Sequence, residues 1–360
     1  MRLRIVLYSM LSVSAVGHAR AEDRHAAHAG VIFSESNEVA GNRVLVFSAA
    51  VSGELTSTGA FATGGTGTGD SLGSQGALAL TEDRRFLLAV DAGSNDIASF
   101  AVDGDRLDLV DRVSSGGARP ISVTTRSGLV YVVNATGNNV SGFYLSGRGK
   151  LEPISGATRP LSAANAGPGQ VELSEDGRKL VVTEKTTSVI DVFDVSAFGR
   201  LSAPSVVTSA GKTPFGFEFT QRGDLVVSEA SGSLSSYDFS RHDGLDVISA
   251  AVSDTQAAPC WVAISADDRF AYTANANSAS ISSYAIARGG QLQLTAARAG
   301  ELTGSGAPLD LAIGRGGRML FVLDRGNTSI TGFSIESDGT LARSASASGL
   351  PAFTTGLVAD

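Results

Sequence analysis

Residues 259–292, PCWVAISADDRFAYTANANSASISSYAIARGGQL, carry the pattern that decides the fold. A proline opens a short apolar run, Asp267-Asp268 make a polar turn, and a second run ends at Asn275. A third run closes on Tyr284, and the glycines 289 and 290 turn the chain again. Short runs of β-branched and aromatic residues bounded by Asp, Asn and Gly read as strands joined by tight turns.

The pattern recurs six more times, indexed by the aromatic that closes each third run: Phe47, Phe100, Phe143, Phe193, Tyr237, Tyr284 and Phe333. The intervals are 53, 43, 50, 44, 47 and 49 residues, the repeat length of a β-propeller blade. Opening runs such as ISVT (121–124), VEL (171–173), FEF (217–219) and LAI (311–313) precede second runs such as VYVV, LVVT, LVVS and LFVL. An x-G-x-L turn around Gly53, Gly149, Gly199 or Gly339 leads to the outer strand. The first repeat lacks its opening run, because Val31-Ile32-Phe33 is already the second; Thr355 to Ala359 supplies the missing one. The expected fold is all-β: a seven-bladed β-propeller over residues 31–360 whose C-terminal strand completes the first blade, so that no sheet edge stays open. Segment 56–74, TSTGAFATGGTGTGDSLGS, is expected to hold the first blade's outer strand and a flexible glycine-rich loop. It lacks the Lys and the helix of a phosphate-cradling loop.

Met1 to Arg4 is basic, Ile5 to Gly17 is apolar, and Ala19-Arg20-Ala21 is an A-x-A cleavage signal, so residues 1–21 read as a secretory signal peptide. Residues 22–30 read as a flexible leader, and the product is expected in the periplasm or outside the cell, without a membrane span. Cleavage leaves 25 basic against 36 acidic residues, which argues against nucleic acid as a partner. Cys260 is the only cysteine and reads as a small buried hydrophobe. Histidine is confined to His25, His28 and His242 after cleavage, so a Ser-His-Asp triad and a His/Cys zinc site are not expected. A monomer is expected.

Aligning the repeats exposes a polar column. Asp91, Asn134, Glu184, Asn275 and Asp324 stand nine residues before their aromatic, Glu229 eight before Tyr237, and Glu38 nine before Phe47. Two readings stand open. In one, the column rings the channel, where its carboxylates would raise one another's pKa or hold a divalent cation, calcium or magnesium. In the other, its members are turn residues that bond nearby backbone. A second column, Ile121, Gln170, Gly216, Trp261 and Asp310, follows the opening proline and should face the channel mouth. Trp261 could floor a pocket or plug the channel. Arg119 stands where other repeats have Pro168, Pro214, Pro259 or Pro308, and Arg119 and Arg325 are candidate anion contacts.

With its P-x-x-V-x-x-S-x-D-G-R-x-x-Y-V-x-N style repeats and x-G-x-L turns, the chain resembles the seven-bladed propeller lactonase family of 6-phosphogluconolactonase and carboxy-muconate cyclase. The resemblance spans the mature chain and implies a small lactone or sugar derivative as substrate. Active members carry a motif like A-G-P-R-H followed by Glu on the next strand. Here Ala166-Gly167-Pro168-Gly169-Gln170 is followed by Glu184. Glu184 matches, Gly169 and Gln170 replace Arg and His, and Asp324-Arg325 lies in the seventh repeat where the family has such a pair in the fifth. The resemblance implies Glu184 as general base, with Arg119 or Arg325 on a substrate carboxylate and Gln170, Trp261 and Asp324 nearby. A non-catalytic scaffold for a peptide, sugar or partner protein is the alternative; a closed pocket with perturbed carboxylates separates the two readings in favour of an enzyme.

Overall fold

The computed structural model describes residues 28–50, 54–239 and 244–360. Seven antiparallel sheets form in chain order, each running from an inner strand outward. The sixth sheet holds the stretch quoted above: Pro259–Ile264 inside, then Phe270–Asn275, Ser280–Ile286 and Leu292–Glu301. The first sheet is completed from both ends of the chain, since Thr355–Ala359 pairs with His28–Glu35 through Ile32–Ala359, Phe33–Val358, Ser34–Leu357 and Glu35–Thr355. Ser34 Oγ also donates to the Gly356 carbonyl at 2.6 Å. The opening strand starts at His28, three residues before the expected Val31. The expected signal peptide, His25 and His242 lie outside the described residues.

The second strand of each blade is buried on both faces, which explains its unbroken apolar run: Phe86–Asp91, Met319–Asp324 and their counterparts carry almost no exposed side chain. Outer strands mix half-buried and exposed residues, as in Leu341–Ser348. Facing blades close on one another through the x-G-x-L turns. Gly149 has φ +80, and a Cβ there would come within 2.6 Å of the Phe86 ring in the preceding blade. Gly199 and Gly339 stand the same way over aliphatic and aromatic neighbours, and their carbonyls accept from Tyr131 Oη at 2.7 Å and Tyr272 Oη at 3.2 Å. Only glycine combines that backbone with that clearance.

Deleting residues 355–360 removes the closing strand and leaves Leu357's site empty. The expected outcome is loss of the cooperative thermal transition, followed by circular dichroism, with oligomers on size exclusion from the exposed edge of His28–Glu35. A truncated chain that melts cooperatively as a monomer would show that the ring does not depend on this strand.

Candidate active site in the channel

The column at the ends of the second strands is resolved by its partners. Glu184 accepts from the Ser162 backbone N–H at 3.1 Å, from Ser162 Oγ at 2.9 Å, and from Thr187 Oγ1. Glu229 holds the Gly211 N–H and Ser233 Oγ; Asp324 holds the Ala307 N–H and the side chain of Asn327. Asn134 donates to the Ser115 carbonyl, and Asn275 donates to Ser280 and Ser282. Asp91 accepts from Thr63 Oγ1 at 2.6 Å and Asn42 Nδ2 at 2.9 Å. Each side chain thus pins either the connection that enters its own blade or the start of the next strand. All are buried, and none borders the channel cavity. The structure thus places these side chains, Glu184 among them, at buried strand ends instead of around that cavity. The first blade's member is Glu35, not Glu38: Glu35 ends its strand fully buried, whereas Glu38 is half-exposed and paired with Arg43. Arg325 is exposed in the turn capped by Asp324, outside the channel. Among the described residues no group of three or more His, Cys, Asp or Glu side chains is arranged to hold a metal ion.

The channel is built by the inner strands. A bulge follows the opening proline in the third to seventh blades, and in the third blade that proline is Pro120, so the channel-facing position is Ser122, with Ile121 buried behind it. The same register aligns Pro120, not Arg119, with Pro168, Pro214, Pro259 and Pro308. Neighbouring inner strands splay apart, and polar side chains supply the hydrogen bonds that their backbones cannot make to one another. Ser122 Oγ accepts from the Val171 N–H at 3.1 Å. Gln170 bonds both backbone groups of Phe217, at 2.8 and 2.9 Å. Glu218 accepts from the Ile264 N–H at 2.8 Å, and Asp310 accepts from Leu311 and Leu357 at 3.0 and 3.1 Å. These side chains were legible as a column, but Glu172 and Glu218, two positions further along, were not singled out.

Segment 63–77 is no loose loop. It leaves the outer strand Leu55–Ala62 and crosses the mouth of the channel before the inner strand Leu78–Leu80. Gln75 bonds both backbone groups of Val262, at 2.9 Å each, repeating what Gln170 does one blade earlier. Its amide fills the space left by Gly216, where a Cβ would collide with Gln75 Oε1. Trp261 Nε1 donates to the Ser74 carbonyl at 2.9 Å, Arg119 Nη2 to the Ser71 carbonyl at 3.2 Å, and Lys185 Nζ to the Gly73 carbonyl. Trp261 packs on Phe215, their ring centroids 4.9 Å apart, so the tryptophan anchors this strap. Cys260 beside it is buried, and that burial pushes its thiol up to about 12, as suits an inert side chain.

Past Gln75 a cavity of about 230 Å³ remains, lined by Gln170, Glu172, Glu218, Asp310, Thr124 and Leu357 among others. It continues into an opening bordered by Leu80, Glu82, Arg84 and Ile313 at the far ends of the inner strands. Three carboxyl groups meet here. Burial, with Asp310 adding repulsion, pushes Glu218 up to about 8. Burial raises Asp310 to about 7 despite its backbone donors. Glu172 lies well above the carboxylate range through burial and the neighbouring Glu218.

The sequence matches the profile of the lactonase, seven-bladed β-propeller family over residues 24–159, 156–245 and 226–308. The chain belongs to that family. Among solved structures it is similar to a candidate 6-phosphogluconolactonase from Bacteroides uniformis, at 20% identity and TM-score 0.75, with 91% of this chain and 98% of that one covered. It is also similar to the periplasmic gluconolactonase of Pseudomonas aeruginosa, at 17% identity and TM-score 0.73, covering 92% and 98%. These likenesses show the fold. A search of curated proteins found no match. No helix among the described residues is long and apolar enough to cross a membrane.

Because these acids bind protons more tightly folded than unfolded, their contribution to stability is complete below about pH 4 and is lost as pH rises through the folded values. For Asp91 at about 6, Asp310 at about 7 and Glu218 at about 8, the loss runs from about pH 4 to about pH 8. The urea midpoint is expected to be higher at pH 5.5 than at pH 8.5, and Glu218→Gln, which keeps an acceptor for Ile264, should flatten the difference. A midpoint that rises with pH over this range would contradict the assignment.

Proposed function

We propose that this protein is exported and hydrolyses a small lactone, such as a sugar lactone, in the central channel. The observation that carries the reading is the cavity itself: a propeller scaffold with a flat ring face needs no concave pocket, yet here three carboxyls line one that opens at the far ends of the inner strands. Family membership supplies the reaction class, and the basic, apolar and A-x-A pattern of residues 1–21 supports export.

Asp310, about 7, and Glu218, about 8, span neutral pH, as a base and an acid working together require. Asp310 takes a proton from water as its oxygen bonds the acyl carbon, and the tetrahedral intermediate's oxyanion faces a protonated Glu172. Collapse breaks the bond to the ring oxygen, which takes its proton from Glu218. Transfer from Asp310 back to Glu218 resets the pair, and the product acid releases its proton to solvent. Two backbone donors fix Asp310, and Ile264 fixes Glu218, so the carboxyls are oriented before substrate arrives.

The test is proton release in weak buffer by residues 22–360 with plain and phosphorylated sugar lactones. A bell-shaped kcat/KM is expected with limbs near pH 7 and 8, the base setting the lower and the acid the upper. Asp310→Asn and Glu218→Gln should each lower kcat by roughly a hundredfold or more, while Glu184→Gln should retain turnover, since that carboxyl bonds Ser162, Thr187 and Asp191 at a buried strand end. No turnover of any lactone, or turnover indifferent to Asp310 and Glu218, would refute the reading.

A further inference from the structure

The strapped end of the channel contains an arrangement that lactone hydrolysis in the cavity does not use. Arg119 precedes the third blade's inner strand, and Lys185 follows the fourth blade's second strand. Both reach under residues 71–74. Neither forms an ion pair among the described residues; each donates to a neutral carbonyl of the same segment, Arg119 to Ser71 and Lys185 to Gly73. Lys185 lies over the Phe215 ring, 4.8 Å from its centroid, and Phe215 in turn packs on Trp261. Burial, together with the Arg119 cation, lowers Lys185 to about 8, while the Cys260 thiol beside it acts in the opposite sense.

Two cations close enough to repel, partly withdrawn from water, above an aromatic floor and without a carboxylate, are not explained by holding a loop. Serine and threonine hydroxyls, or Gln75 alone, would do that at lower desolvation cost. A carboxylate or phosphate oxygen adds the attraction of opposite charges to such a bond, which a neutral carbonyl does not supply. The segment they hold has attachments that do not involve the cations: Gln75 in the Val262 backbone, Ser74 on Trp261 and the Ile121 carbonyl, and Leu72, buried in the core with Ile121 and Ala166.

We propose that Arg119 and Lys185 form an anion-binding site at the strapped end of the channel, floored by Phe215 and Trp261. In it the carbonyls of Ser71 and Gly73 hold the place of the carboxylate or phosphate of a small ligand. Binding shifts residues 71–74 outward while Gln75 stays in place. The strap competes with the ligand, so weakening its apolar anchor tightens binding.

Trp261 is the only tryptophan and hydrogen-bonds the strap, so its emission reports the site directly. The probes are inorganic phosphate, D-gluconate and 6-phosphogluconate, none of which is a lactone. The expected result is a saturable change in Trp261 emission, weakened about tenfold or more by Arg119→Gln and by Lys185→Met, and tightened several-fold by Leu72→Ser. Phosphate active with gluconate silent assigns the site to phosphate; the reverse assigns it to carboxylate. Thermal melts check that each variant is folded. No response to any probe in the wild type and Leu72→Ser, or a response that survives both cation substitutions, overturns the proposal. Anion binding without lactone turnover leaves this site standing and refutes hydrolysis, and turnover without anion binding does the converse.

Discussion

The structure depends on four residue pairs between Thr355–Ala359 and His28–Glu35 that tie the end of the chain to its beginning. A propeller blade buries its faces only against neighbours, so each blade is supported on both sides only when the ring is closed. Closure also reaches the chemistry. The N–H of Leu357, on the closing strand, donates to Asp310 in the seventh blade, while Ser34 of the first blade holds Gly356. A ring that opened there would release one of the backbone donors that hold the proposed base.

Closing seven sheets around an axis leaves a second problem at the centre. Inner strands of neighbouring blades diverge too far to pair, yet their N–H and C=O groups are buried. Here side chains act as the missing rungs: Ser122 for Val171, Gln170 for Phe217, Glu218 for Ile264, Asp310 for Leu357. The fifth blade has Gly216 at this position and takes its rung from Gln75 of the strap. The polar lining of the channel is therefore a structural requirement first. Where the rung is a carboxyl instead of an amide or hydroxyl, the same burial that makes it necessary also shifts its pKa toward neutrality, and a supporting group becomes available as an acid or base.

The distinction between strand-end and channel carboxyls explains what was legible in the sequence. Strand number, blade count and the complementing C-terminal strand were readable because each is written as a period, with a fixed place for the aromatic and the glycine. The column of Asp91, Asn134, Glu184, Glu229, Asn275 and Asp324 was equally visible, and the reading of it as turn chemistry is the one its partners support. What a period does not encode is which way a side chain points. The first hairpin of the third blade is shorter than its counterparts, so Pro120 rather than Arg119 takes the register of the other prolines and Ser122 rather than Ile121 takes the channel position. Glu172 and Glu218 sit near the ends of short inner strands, where their alternation with Val171 and Phe217 is the only clue. Glu35 escaped because the first blade's turn is longer, so counting back from Phe47 stopped at Glu38.

The strap was missed for a different reason. Composition marks GGTGTGDSLGSQG as irregular, and irregular glycine-rich segments are ordinarily loose. Whether such a segment is ordered depends on partners that are distant in sequence, and this one finds them in three blades: Ile121 in the third, Gly169 and Lys185 in the fourth, and Trp261 with Val262 in the sixth. Its glycines serve that packing, since a Cβ at Gly67 would run into the Asn37 backbone and one at Gly76 would come within 2.9 Å of Ser122 Oγ. The strap therefore divides the channel into two environments from one set of inner strands. On the carboxyl side the desolvated acids, Asp310 buried and Glu172 and Glu218 partly so, favour their protons; on the cation side Arg119 and Lys185 lack an anion. A neutral segment separates groups that would otherwise neutralise one another across the axis, and that separation keeps both sets of perturbed groups available for ligands.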